Sequence, residues 1–239
     1  MKEIKHIGTT SFILHDTRLA NVVHLKSEID IVQLLYLESF DESVNKNDII
    51  EIENLAQIKH NIEYFIHMPI DLDLSNTKDW KKLIYFSDKL SVLDAEHIII
   101  HPSNHNIFFK ELEYFLENYP KTLIENIDTQ EFIETIPHGK FNICFDVGHA
   151  ILNGIDLKKF IKIYGYDIKA YHLHGVDRGR DHQSVRYLEK DLLKYLIDFA
   201  IANDVKIILE IFGKKDFYDS KEFLRGFFKE NGYCYHRWD

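Results

Sequence analysis

The sequence predicts a closed (β/α)8 barrel, and three observations predict it. At 239 residues the chain matches the roughly 250 residues typical of an eight-stranded α/β barrel. Short β-rich apolar runs alternate with longer amphipathic segments, and the alternation repeats eight times. No Pro/Gly/Ser linker and no low-complexity tract interrupts the rhythm, so residues 1–239 read as one domain. The rival architecture with the same alternation is an open doubly wound sheet.

The expected strands are Ile4–Gly8, Ile31–Leu37, Tyr64–His67, His97–His101, Thr122–Glu125, Asn142–Asp146, Ala170–His174 and Lys206–Glu210. Helices are expected over Asn47–His60, Thr77–Leu93 and Val185–Asn203. In the last of these, Leu192, Leu193, Leu196, Ile197 and Ala200 recur three or four positions apart and form one apolar stripe.

Composition narrows the function classes. Hydrophobic residues at 45% and charged residues at 28% suit a globular chain with one large core. A net charge of −10 gives a mean field that repels phosphate backbones, so nucleic acid is a disfavoured partner. Lys78, Lys81 and Lys82 read as a solvated helix face. The opening Met1-Lys2-Glu3-Ile4-Lys5 has no signal-peptide core, and no apolar run approaches the ~20 residues that span a bilayer, so no membrane role and a cytoplasmic location are expected. Only Cys144 and Cys234 are present, and no disulfide framework is indicated. The oligomeric state is left open.

The informative residues stand at the strand ends. The third strand ends in His67, the fourth in His101 and the fifth in Glu125. The sixth ends in Asp146 with His149 three residues on, the seventh carries His172 and His174 with Asp181-His182 after them, and the eighth ends in Glu210. In a closed parallel barrel all strand C-termini meet at one face, so these side chains converge. A single histidine at a strand end is more often structural than a ligand. Glu125, Asp146 and Glu210, however, each lie in an otherwise apolar strand, where an unpaired charge costs several kcal/mol, so they need cationic partners. Basic residues nearby are too few, and a mixed histidine and carboxylate set suits Zn²⁺ or Mn²⁺. His15, His24, His60, His97, His105, His138 and His236 lack this placement and read as surface or capping residues. Glu38, ending the second strand, reads either as a substrate contact or as a barrel cap.

At these residues the chain resembles the xylose isomerase-like barrel superfamily, which includes endonuclease IV-type phosphodiesterases and sugar isomerases and epimerases. The resemblance implies Glu125, Asp146, His172 and Glu210 as a four-ligand core, with His67 and His101 joining Glu125 at another metal. His149 and His182 match the histidines of a third metal. The pattern departs there, with Arg180 where an acidic ligand is expected and Asp181 beside His182. Two ions are implied, with Asp181, His149 and His182 kept as candidate ligands of a third.

More narrowly, the segment from Ile7 to Ile13, the segment from His67 to Leu74 and the stretch from His172 to His182 resemble the cobamide-remodelling phosphodiesterases. That resemblance implies hydrolysis of the nucleotide-loop phosphoester of a corrinoid, with removal of the lower ligand. Glu125, Glu210, His149 and His182 are then the candidates for catalysis, and Arg180, His174 and Glu38 for contacting substrate. The alternative is a sugar or keto-acid isomerase or epimerase, in which Glu125 and Glu210 would shuttle protons. An abasic-DNA endonuclease and a non-enzymatic metal-binding module are further rivals.

Overall fold

The computed structural model describes residues 1–39 and 46–238. Eight parallel strands close into a barrel: β1 Ile7–Thr10, β2 Ile31–Leu35, β3 Glu63–His67, β4 His97–Ile100, β5 Thr122–Glu125, β6 Ile143–Asp146, β7 Ile168–Leu173 and β8 Lys206–Leu209, with β8 pairing both β7 and β1. The closed ring excludes the open doubly wound sheet. The helices are α1 Arg18–Leu25, α2 Lys46–Ile58, α3 Thr77–Leu90, α4 Asn106–Asn118, α5 Thr129–Thr135, α6 Val147–Leu152, α7 Leu157–Tyr164, α8 Lys190–Asn203 and α9 Lys214–Asn231. None is long and apolar enough to cross a membrane.

Expected and observed boundaries differ where local hydrogen bonds intervene. The first strand begins at Ile7, not Ile4, because Lys2 and Glu3 instead pair in parallel with Tyr233 and Cys234. The expected helix Val185–Asn203 divides in two: a 3₁₀ turn, Val185–Tyr187, stops at the extended Leu188, and α8 starts afresh where Glu189 accepts the amides of Asp191 and Leu192. Both cysteines are free.

Two cores result. The larger lies between strands and helices, where Trp80, Phe108, Phe115, Phe132, Phe145 and Phe160 are buried among aliphatic neighbours. The smaller fills the barrel with Ile31, Phe65, Ile99, Leu123, Cys144, Ala170 and Ile208, none of them exposed. Gly8 borders this floor, and a Cβ there would come within 2.8 Å of Ile208 and 2.6 Å of the Ile31 carbonyl. Side chains alternate along a strand, so the residue two positions beyond each floor residue points into the same barrel, one layer nearer the mouth. Those residues are Gln33, His67, His101, Glu125, Asp146, His172 and Glu210.

Candidate metal centre

Glu125 stands at the centre of this polar layer, 1% exposed at the end of β5. Its two oxygens face different neighbours. Oε2 lies 3.1 Å from His67 Nε2 and 3.5 Å from His101 Nε2, and these two nitrogens are 3.3 Å apart. Oε1 lies 3.1 Å from His172 Nδ1, which is also 3.1 Å from Glu210 Oε2 and 3.8 Å from Asp146 Oδ2. The donor atoms thus gather as one group from His67, His101 and Glu125, and a second from Glu125, Asp146, His172 and Glu210, each spanning no more than 4.8 Å.

Hydrogen bonds to the opposite ring nitrogens set how the histidines face. His67 Nδ1 lies 3.0 Å from the Met68 carbonyl, so the proton belongs there and Nε2 offers its lone pair to the Glu125 side. His172 Nε2 lies 2.8 Å from Gln33 Oε1, which leaves Nδ1 facing three carboxylates. His182 Nδ1 lies 3.1 Å from the Glu210 carbonyl, leaving Nε2 toward Asp181.

Three atoms buried in the site lack a hydrogen-bond partner: His149 Nδ1, His172 Nδ1 and Glu210 Oε2. Leaving such atoms unsatisfied costs about 1–3 kcal/mol each. Electron-rich atoms converging on one space need a cation between them, and imidazole nitrogens mixed with carboxylates are the donor set of Zn²⁺ or Mn²⁺. The residues therefore fit divalent metal. The electrostatics agree. Burial alone would push the Glu125 carboxyl up, but His172, His101 and His67 hold it well below the usual carboxylate range. Burial opposes charge on His172, yet the Glu210 and Glu125 carboxylates beside it hold it well above the usual histidine range.

Around the second group lie His149, His174 and His182, a third set of close donor atoms. His149 Nδ1 is 3.6 Å from Asp146 Oδ2 and its Nε2 is 3.7 Å from Asp181 Oδ2. His174, expected to contact substrate, is wholly buried. Its Nδ1 accepts the His182 amide at 2.8 Å and its Nε2 faces Asp146 Oδ1 at 3.1 Å. Both ring nitrogens are occupied, so the geometry makes it a support for Asp146. Asp181 has an oxygen 3.8 Å from His182 Nε2, as well as facing His149, and is the better third donor of this set.

The remaining expected residues lie further out. Arg180 is exposed beside the tip of a hairpin made by Gly175–Asp177 and Arg180–Gln183, which carries His182 over the barrel mouth. Glu38 is exposed in the bend after β2 and joins no donor group among the described residues. Of the histidines read as bland, His105 caps α4 by accepting the Ile107 amide, and His97 packs edge-on against Phe65. Sequence reasoning missed Gln33, whose amide touches both His172 and Glu210. The signal that finds it is register: it stands two residues beyond a floor residue, as the expected ligands do.

No protein-family model matches this sequence, and no curated protein matches it. Solved structures share the fold. A D-tagatose 3-epimerase-like protein superposes with a TM-score of 0.71 at 20% identity, over 94% of this chain and 97% of that one. The probable 3-DHS dehydratase AsbF from Bacillus anthracis gives 0.65 at 14% identity, over 93% and 99%. A sugar phosphate isomerase/epimerase from Parabacteroides distasonis gives 0.62 at 12% identity, over 92% and 96%. At these identities the likeness establishes the fold alone, a (β/α)8 barrel, and the chemistry has to be argued from the site.

Proposed function

We propose that this chain is a metal-dependent hydrolase that cleaves a phosphoester in a small molecule. The observation that carries the reading is the two-sided environment of Glu125, with a histidine pair on one oxygen and a carboxylate-rich group on the other. A single-metal isomerase needs the second group but has no use for the first. Divalent cations bound by these groups would polarise the phosphoryl group and make water more acidic.

The chain's own residues supply the rest. Glu125 joins the two donor groups, His67 and His101 close one, and Asp146, His172 and Glu210 close the other. His182 and His149, beside Asp181 and only part-buried, either complete a third site or pass a proton to the leaving oxygen. Arg180 has no ion-pair partner among the described residues and is free to take up an anion with two parallel hydrogen bonds.

The finer reading, a corrinoid whose nucleotide loop is cut, rests on the resemblance of three segments. The barrel rim is compatible with a body wider than a sugar. Phe12, Leu37, Ile70, Ile127, Leu152 and Phe212, each exposed, follow the C-terminal ends of six different strands. Phe12 and Phe212 meet edge to face at 6.1 Å, and Phe212 lies 4.5 Å from the His182 ring.

A sugar or keto-acid isomerase or epimerase is the second reading. It is favoured by the names of several of the solved structures and by Glu125 and Glu210 approaching one His172 nitrogen from different strands. One experiment separates the two. Metal-loaded protein is incubated with adenosylated cobamide, with other phosphodiesters and with a panel of ketoses, and products are resolved by chromatography beside a Glu125→Gln control. Cobinamide or another alcohol released by the wild type alone supports hydrolysis; interconverted sugars with no phosphoester cleavage transfer the assignment to the isomerase.

A further inference from the structure

Gln33 lies wholly buried on β2, in the barrel layer otherwise occupied by candidate ligands. Its amide makes two hydrogen bonds, each to a different member of the carboxylate-rich group. Nε2 donates to Glu210 Oε1 at 3.2 Å, and Oε1 accepts from His172 Nε2 at 2.8 Å. Chemistry fixes that orientation, because an ionised carboxylate only accepts hydrogen bonds, so the amide nitrogen has to be the end that meets Glu210. The amide oxygen then requires a proton on His172 Nε2, so Nδ1 is the ring nitrogen left to serve as a ligand.

The two atoms that Gln33 does not occupy on these residues are His172 Nδ1 and Glu210 Oε2. Those same atoms are buried without hydrogen-bond partners, 3.1 Å apart. One side chain therefore takes the outward-facing atom of each ligand and turns the other toward Glu125 and Asp146. His67 and His182 have their tautomers set by backbone carbonyls. His172, wholly buried, instead depends on a side chain.

We infer that Gln33 is the positioning residue of the carboxylate-rich metal group: it selects the His172 tautomer that ligates through Nδ1 and aims Glu210 Oε2 at the same ion. The inference rests on the metal-binding reading above. Groups that hold a metal ligand from behind typically govern 10–100-fold in metal affinity, and a Gln33→Leu variant, close to the wild type in volume, removes both hydrogen bonds.

The test is metal binding, read without turnover. Ion stoichiometry and affinity are measured by chelator competition and calorimetry for the wild type, Gln33→Leu and Gln33→Glu, each confirmed folded by circular dichroism. Gln33→Leu is expected to lose roughly 10–100-fold in affinity for one ion while the ion at His67 and His101 is kept. Gln33→Glu keeps the acceptor for His172 but places a second carboxylate against Glu210, and is expected to bind with intermediate affinity. Wild-type affinity at every site in Gln33→Leu overturns the inference. Should that variant fail to fold, long-range ¹H–¹⁵N spectra of the zinc-loaded wild type decide: ligation through His172 Nδ1 with the proton on Nε2 upholds it, and the reverse overturns it. A wild type that binds no ion refutes the metal reading, a result distinct from both.

Discussion

Gly148 illustrates how closely single residues are fitted behind the site. It follows Asp146 and Val147 in the first turn of α6, and a Cβ there would lie 1.9 Å from His174 Cε1 and 2.4 Å from its Nδ1. The imidazole cannot yield, being held between the His182 amide and the Asp146 carboxylate. Gly148→Ala is therefore expected to destabilise by about 1–3 kcal/mol, as overpacking of a filled interior does, and to lower metal affinity by displacing Asp146. Thermal unfolding and chelator competition check the two effects, and an unchanged melting temperature would contradict the first. Most members of the candidate donor groups were legible at this scale, because a carboxylate ending an apolar strand is costly to bury without a cation and histidines at neighbouring strand ends supply further donor atoms. Gln33 was not, since a neutral amide in a strand carries no such signal until its register is known.

At the scale of the element, the hairpin over the mouth brings the third histidine set together. Its tip, Arg178 and Gly179, has φ of +52° and +77°, the left-handed pair of a tight two-residue turn that the glycine makes inexpensive. The turn presents Arg180 to solvent and returns the chain so that His182, itself at φ +51°, seals His174 beneath it. If Arg180 binds a substrate anion, Arg180→Ala should raise KM for a phosphoester with kcat little changed. A charge-assisted hydrogen bond of about 1.5–3 kcal/mol corresponds to roughly 10–100-fold. Steady-state kinetics measure this, and a fall in kcat at constant KM would assign the arginine to the chemical step instead. Sequence periodicity read this whole stretch as strand, loop and the start of a long helix. The hairpin escaped it because its antiparallel pairing, Arg180 with Asp177 and Gln183 with Gly175, covers only a few residues.

At the scale of the whole molecule, the barrel gathers buried carboxylates whose charged partners among the described residues are histidines. Glu125, Asp146 and Glu210 are at most 4% exposed, and no lysine or arginine pairs with any of them among the described residues. Their charge is met by histidines alone, so binding of a divalent cation should be linked to folding. Titration of metal-free protein with Zn²⁺ or Mn²⁺ to 100 times the dissociation constant is expected to add about 2.7 kcal/mol of stability. For a chain of this length that is a rise of roughly 5–11 °C in melting temperature. Differential scanning fluorimetry reads it, Glu125→Gln should reduce it, and no shift in the wild type would count against metal at this site.

The sequence by itself determined the barrel and most of the candidate donors that it brings together, because both are written in one-dimensional signals. Eight apolar runs alternating with amphipathic ones leave few architectures open, and a charged side chain ending such a run requires a partner wherever the chain folds. Tertiary structure alone decided which donor faces which. That Glu125 turns one oxygen to His67 and His101 and the other to His172, that His174 lies behind Asp146 and not in the mouth, and that Gln33 joins the ligand layer all follow from inter-strand register. Register is set by closure of the eight-stranded ring, a constraint among residues as far apart as Gln33 and Glu210 that no local pattern contains.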